Sequence, residues 1–215
     1  ELLTGKRRLP GFAGAWEVKR LGELGSTFSG LTGKTKGHFG HGSASYITFM
    51  NIMTNVVIDN GTFESVDIGP TESQHSVVKG DLFFNGSSET PEEVGMCAVL
   101  LDDTQNVYLN SFCFGFRLRD DVKANGLYLA YYFRSQEGRS LLKSLAQGAT
   151  RYNLSKTALL DTSFTLPTYQ EQSAIAAVLS DMDAAIEVLE AKLAKARLVK
   201  QGMMQELLTG KTRLV

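Results

Sequence analysis

From Tyr169 to Leu208 the chain runs forty residues without a proline, and its one glycine is Gly202. Within that stretch apolar residues alternate at steps of three and four. One row is Leu179, Ile186, Leu193, Lys200 and Leu207; the other is Ile175, Met182, Leu189, Ala196 and Met203. A period near 3.5 held over about four heptads describes a coiled-coil seam rather than the wider face of a globular surface helix. At ~1.5 Å per residue the segment makes a rod of roughly 60 Å. A helix covered by the core of its own chain is the alternative. No other predicted helix is long enough to cover this seam, so the partner is expected to be a second copy or another chain. Lys200 is the polar seam position, of the kind that sets register.

Charge along the rod is polarised. Residues 169–190 carry five acids (Glu171, Asp181, Asp183, Glu187, Glu190) and no base, whereas residues 191–215 carry six bases against Glu206. Two copies laid antiparallel would oppose unlike charges along their length.

Residues 16–168 read differently. Short β-rich runs recur at 45–50, 55–59, 76–84, 96–101 and 106–118, separated by turn signals such as Asn60-Gly61 and Asn85-Gly86. Residues 127–148 read as one helix, and 161–167 as a last extended piece stopped by Pro167. The expectation is an α+β chain: a mixed α/β domain over 16–168, then a long coiled-coil helix over 169–210. Residues 1–15 form a linker ahead of the domain and 211–215 a tail.

The ends of the chain repeat each other. Glu1-Leu2-Leu3-Thr4-Gly5-Lys6 recurs as Glu206-Leu207-Leu208-Thr209-Gly210-Lys211.

Several chemical motifs fail on inspection. Both Gly-Lys-Thr runs lack the glycine a phosphate-cradling loop needs five positions earlier, where Phe28 and Gln205 stand. His38 and His41 are spaced to share a metal, but His75 is distant and no cysteine or acidic cluster joins them. Asp102-Asp103 and Asp120-Asp121 read as solvated turns, and no Gly-x-Ser-x-Gly elbow occurs. Cys97 and Cys113 are the only cysteines, which fits a reducing cytoplasm. No apolar run approaches the ~18 residues of a membrane span and no signal peptide opens the chain. Glu1 is not a starting methionine.

A resemblance accounts for the two ends. Leu166-Pro167, Glu171-Gln172, Ile175-Ala176 and Leu179, with Lys200-Gln201 and the run from Leu207 to Lys211 followed by Arg213-Leu214, resemble the long-helix region of the specificity subunits of type I restriction-modification enzymes. Residues 16–30 are similar to the start of that family's target recognition domain, and 148–156 to a segment near its end. The resemblance implies a DNA sequence-recognition subunit with no catalysis of its own. Two such domains and two antiparallel spacer helices make a full subunit, each domain reading half of a split target. The implied partners are double-stranded DNA, modification subunits that use S-adenosylmethionine, and restriction subunits; no cofactor is expected on this chain. With one domain and one helix, the chain corresponds to one repeat unit, either a half-sized subunit that homodimerises or a piece of a longer one. On that reading residues 1–15 are the tail of a preceding repeat. A stand-alone DNA-modifying or DNA-cutting enzyme is the alternative from another class.

Two loops are the candidate DNA contacts. Residues 29–43 offer Lys34, Lys36, His38 and His41 on a glycine-rich stretch. Residues 147–156 offer Thr150, Arg151, Tyr152, Asn153 and Lys156. Arginine can fork onto guanine and asparagine onto adenine, and lysine neutralises phosphate. Each residue also has a plain reading as loop solvation, capping or packing. The candidate dimer contacts are Ile175, Leu179, Met182, Ile186, Leu189, Leu193, Met203 and Leu207.

Overall fold

A computed structural model describes residues 1–209, which divide into two units, Glu1–Ala176 and the segment from Ala177 onward. In the first unit β1 (Glu17–Arg20) leads through the single turn α1 (Leu21–Leu24) into β2 (Gly25–Ser29). Next come β3 (Phe39–Ile47), α2 (Phe49–Thr54), β4 (Glu64–Val66), β5 (Leu82–Asn85), β6 (Ser87–Ser88), β7 (Cys97–Val99), β8 (Val107–Leu109) and β9 (Cys113–Leu118). The helices α3 (Gly126–Arg134) and α4 (Gln136–Leu145) precede β10 (Ala146–Gln147), β11 (Tyr152–Leu154), α5 (Lys156–Leu160) and β12 (Ser163–Leu166). The long helix α6 is Tyr169–Leu208.

The central sheet runs β2-β9-β5-β7, antiparallel throughout. Its middle strand β5 buries Leu82, Phe83 and Phe84 completely. Successive strand residues face opposite ways, so β5 serves two cores. Phe83 joins Ile47, Ile52, Leu100 and Leu109 in one cluster. Phe84 stacks on Phe114 at 5.6 Å and meets Phe133 of α3 edge-on at 5.3 Å. A second sheet, β4-β3-β8, and a small third, β10-β11-β6, flank this centre; β1 pairs with β12.

The architecture is α+β, and several predicted elements are subdivided. The helix expected over 127–148 breaks at Ser135, whose extended backbone caps α4, its side chain accepting from Gly138 N. Gly138 permits the tight corner, since a Cβ there would lie 2.0 Å from Tyr132 O. The run 45–50 turns helical after Ile47 because Thr48 caps α2. Residues 55–59 make only the bridge Val57–Val99. The run 106–118 is two strands parted at Asn110.

The first two turns of α6 belong to the first unit. Gln172 is buried; its Oε1 accepts from Asn125 N at 2.9 Å and its Nε2 donates to Pro167 O at 2.8 Å. Asn125 in turn caps α3 by accepting from Tyr128 N. Glu171 is 1% exposed and receives a two-pronged bond from Arg8: Nη2 donates to Oε2 at 2.7 Å and Nε to Oε1. Ile175 requires a correction. It is 0% exposed within its own unit, so it anchors the helix and is not open to a dimer partner. Its phase on the seam is right, but its own domain fills the place of the partner. Leu179 is half-buried, whereas Met182, Ile186, Leu189, Leu193, Met203 and Leu207 are 37–63% exposed. The expected tail at 211–215 and the helix end at 210 lie outside the described residues.

A buried carboxylate that loses its partner destabilises a fold by about 3–5 kcal/mol. Arg8 is partly solvated, so Arg8→Ala should cost about 3 kcal/mol, measured as a lower urea midpoint with an unchanged slope. Arg7→Ala, on an exposed neighbour, should leave the midpoint in place.

Candidate nucleic-acid interface

The basic side chains of the first unit are largely engaged inside it. Arg117 forks onto Asp81 at 2.8 and 2.7 Å. Arg134 donates to the carbonyls of Cys97, Ile52 and Asn55, and Arg139 to those of Glu92 and Val94. Which bases remain exposed on the two candidate loops therefore decides what those loops can bind.

Lys34 does not remain. Its side chain is 2% exposed, and Nζ donates to Asp67 O at 2.6 Å and to Glu72 Oε1 at 2.7 Å. Glu72 also accepts from Gly69 N and from Gln74 Nε2. Lys34 is thus a staple between residues 31–35 and 67–74, and its expected role as a phosphate contact is corrected: its charge is already neutralised and turned inward. Lys36 is exposed on the 3-10 turn Lys36–His38 that follows. Thr35 caps that turn, and His38 Nδ1 accepts from Thr35 N at 3.0 Å. A neutral His38 ring therefore carries its proton on Nε2 and keeps that N–H as a donor. The glycine-rich stretch beyond it is a strand with a bulge rather than a free loop. Phe39 and Ala44 both pair with Val66, so residues 40–43, including the exposed His41, arch out of β3. Gly42 holds φ 103 and passes so close to β4 that a Cβ would lie 2.4 Å from Val66 O.

The second loop is a hairpin. β10 and β11 pair through Ala146–Leu154 and Gln147–Asn153, and β11 pairs in turn with β6. Thr150, Arg151 and Asn153 are exposed. Arg151 Nε donates to Ser87 Oγ at 3.3 Å, which orients the guanidinium without neutralising it. Tyr152 is half-buried beside Ser88, and Leu154 is buried. Lys156 is half-buried; its Nζ donates to Ser29 Oγ at 3.1 Å and lies 5.5 Å from the Phe114 ring centre. Since Ser29 opens the first candidate loop, Lys156 ties the two together.

One element of this surface was missed. Asn110, buried, accepts from Phe112 N at 3.0 Å and donates to Ile47 O at 3.1 Å, and Phe112 O accepts from Gly86 N. This pinned turn holds the Phe112 ring 63% exposed. Phe112 lines a groove of about 550 Å³ together with Lys36, Met50 and Tyr46. Tyr46 donates to Glu64 at 2.6 Å; burial and then that bond push its hydroxyl up to about 12, so it stays protonated. An aromatic between Asn110-Ser111 and Cys113 was the available signal, hidden by reading 106–118 as one strand.

The surface thus offers a forked cation, an exposed amide, a lysine and an apolar ring on braced backbone, a donor set suited to phosphate and base edges. The aspartates read as turns are such: Asp102 accepts from Asn60, Asp103 pairs with Lys79 and Asp121 with Arg119. Among the described residues no three His, Cys, Asp or Glu side chains gather as metal ligands would, and no helix is long and apolar enough to cross a membrane.

The family described as the type I restriction modification DNA specificity domain matches residues 14–197, and the chain belongs to that family. A putative type I restriction enzyme MjaX specificity subunit of Methanocaldococcus jannaschii is 25% identical over 199 residues, 90% of this chain and 45% of that protein. The S subunit of the type I restriction-modification system from M. genitalium aligns with TM-score 0.58 at 17% identity, covering 92% of this chain and 47% of that one. The HsdS subunit from Thermoanaerobacter tengcongensis aligns with TM-score 0.59 at 18% identity, covering 95% and 48%. The chain therefore spans about half the length of the relatives it matches.

The Lys34–Glu72 staple carries a pH signature. Hydrogen bonds from Lys34, then from Gly69 and Gln74, lower the Glu72 carboxyl from 4.5 to about 2. A lowered carboxyl stabilises above its unfolded value and loses that contribution as pH falls through the folded one. The 67–74 loop should hold above pH 4.5 and loosen toward pH 2, read as faster amide exchange at Gly69. Glu72→Gln should abolish that dependence.

Proposed function

We propose that this chain is the DNA sequence-recognition part of a type I restriction-modification complex, reading one half of a bipartite target. The observation that carries the reading is the family match, which runs without a break from residue 14 through the domain and into α6 as far as 197. Arg151, Asn153, Thr150 and Lys36, exposed on braced elements, are the residues we assign to DNA; Tyr152 and Lys156 support them, and His38 offers its Nε2–H. Phosphate contacts supply affinity and base-edge contacts specificity. In this role the chain performs no chemistry. Modification subunits, carrying S-adenosylmethionine, methylate the DNA it positions, restriction subunits join through them, and the assembly works in the cytoplasm.

Leu179, Met182, Ile186, Leu189, Leu193, Met203 and Leu207 form the seam on which a second copy packs. The acidic first half and basic second half of the helix favour antiparallel pairing, a twofold arrangement in which the same surface serves both copies. Each domain precedes the N-terminal end of its own helix, so pairing separates the two domains and inverts one relative to the other. Twofold proteins commonly read half-sites about 34–36 Å apart, a separation a helix of roughly 60 Å can span.

Methylome mapping in cells expressing this chain with a modification subunit tests the reading. An interrupted motif with identical inverted halves is expected. Arg151→Ala should relax one position of each half by ~1–3 kcal/mol while the spacer stays the same. Unchanged methylation sites in a folded Arg151→Ala protein would remove that residue from the interface. Two unrelated half-sites would replace the homodimer with a longer two-domain subunit.

Burying one leucine of the seam contributes roughly 1.5–3 kcal/mol. Ile186→Asp with Leu193→Asp should therefore convert the dimer to monomer in sedimentation velocity without lowering the thermal midpoint of the domain.

A further inference from the structure

Of the phenylalanines among the described residues, Phe112 alone is exposed. A single exposed apolar side chain is ordinary; one carried on backbone pinned by buried groups calls for a reason. The Phe112 N–H donates to Asn110 Oδ1 at 3.0 Å, and its carbonyl accepts from Gly86 N at 3.0 Å. Asn110 is 4% exposed, and Gly30 packs so tightly on it that a Cβ there would lie 2.0 Å from Asn110 O. The start of the first candidate loop therefore clamps this turn, and both backbone groups of Phe112 are spent on the fold.

The same turn joins the two candidate loops. Gly86, which bonds Phe112 O, accepts from Leu154 N at 2.9 Å through its own carbonyl. The next residue, Ser87, pairs with Asn153 and accepts from Arg151 Nε. Phe112 also lines the groove of about 550 Å³ with Lys36 and with Met50, which is 61% exposed. The ring is thus linked to the guanidinium of one loop and shares a groove with the ammonium of the other. Glu64 lines that groove as well, its carboxylate accepting from Tyr46. A negative charge there disfavours phosphate within the groove and leaves the apolar surface to a base edge.

We propose that Phe112, together with Met50, reads the 5-methyl group of a thymine in the major groove of the target half-site. The proposal deepens the DNA-recognition reading above and rests on it. A duplex offers an apolar ring two kinds of surface. Base faces are reached only by unstacking a step. The thymine methyl is the apolar group that stands free on a base edge in the major groove. A wedge driven into the stack would carry Phe112 away from the groove it shares and leave the Met50 side chain in water. A methyl group is met by both side chains at once, with Lys36 on one loop and Arg151 on the other free for phosphate and neighbouring bases. Burial of one methyl-sized group corresponds to roughly a fourfold gain in affinity. Cytosine lacks that group, and a purine presents polar atoms to the same apolar surface, so the contact discriminates.

Deoxyuridine differs from thymidine by that methyl alone. The full chain with a modification subunit is titrated at fixed salt against a duplex carrying the motif found by methylome mapping, each thymine being replaced in turn by deoxyuridine. One replacement per half-site should weaken binding about fourfold. Phe112→Ala should bind the thymine duplex as weakly as the wild type binds the uracil one, and should no longer tell the two apart. Phe112→Leu, still apolar, should keep the preference. Unchanged thermal midpoints verify that both variants fold. A half-site without thymine overturns the proposal, as does specific binding that no replacement weakens. So does a thymine preference that survives Phe112→Ala intact. If Phe112→Ala weakens both duplexes equally, and 2-aminopurine in the half-site brightens with the wild type but not with the variant, the ring is a wedge between bases and the methyl contact is overturned. A chain that binds the motif no better than an unrelated duplex removes the recognition reading itself, and this contact with it.

Discussion

Glu171 is a carboxylate at the start of a helix with almost no water to solvate it. A charge taken out of water must be paired or neutralised, and Arg8 supplies that pair from 163 residues away. Gln172, next along, bonds the entry to α3 and the carbonyl of Pro167. Two adjacent buried polar residues thus lock the N-terminal segment, the α3 cap and the β12–α6 junction at one point. The seating of the first two turns of α6 follows from this node, because they cannot rotate about the helix axis without stranding both side chains. Beyond Ala176 the described part of the helix exposes its apolar stripe.

The first unit separates bracing from contact. Phe83 and Phe84 let one strand hold two cores, and the bases Arg117, Arg134 and Arg139 are committed to internal acceptors. What is left for a ligand sits at the margins: a 3-10 turn, a bulge, a two-residue turn and a hairpin tip. Each margin is tied to the centre by buried groups, Leu31 N to Leu109 O, Asn110 to Ile47, Leu154 N to Gly86 O. Membership of the type I specificity family and the exposed chemistry of these margins point the same way.

The long helix was legible because its signal is local: period, absence of proline and length all act along one segment. The α+β character was legible from the alternation of β-rich runs and turns. The breaks within the expected strands and helix were not, because Thr48, Asn110 and Ser135 act through side chains whose roles depend on the backbone they meet. Arg151 and Asn153 fell on an exposed hairpin within the polar stretch 147–156. Lys34 was not legible as a staple, since its partner Glu72 is remote in sequence and nothing in Gly33-Lys34-Thr35 announces it. Ile175 shows the limit of periodicity. A seam position states that something apolar covers it and says nothing about which chain provides the cover.

The hairpin at 146–154 joins a rigid stem to an unburdened tip. Leu154 is buried and its amide is held by Gly86, while Thr150, Arg151 and Asn153 contribute few bonds that the domain needs. Exposed substitutions away from such anchors usually change stability by less than about 0.5 kcal/mol. Mutation can therefore rewrite the tip almost neutrally with respect to folding, so whatever the tip contacts can change through intermediates that all remain folded.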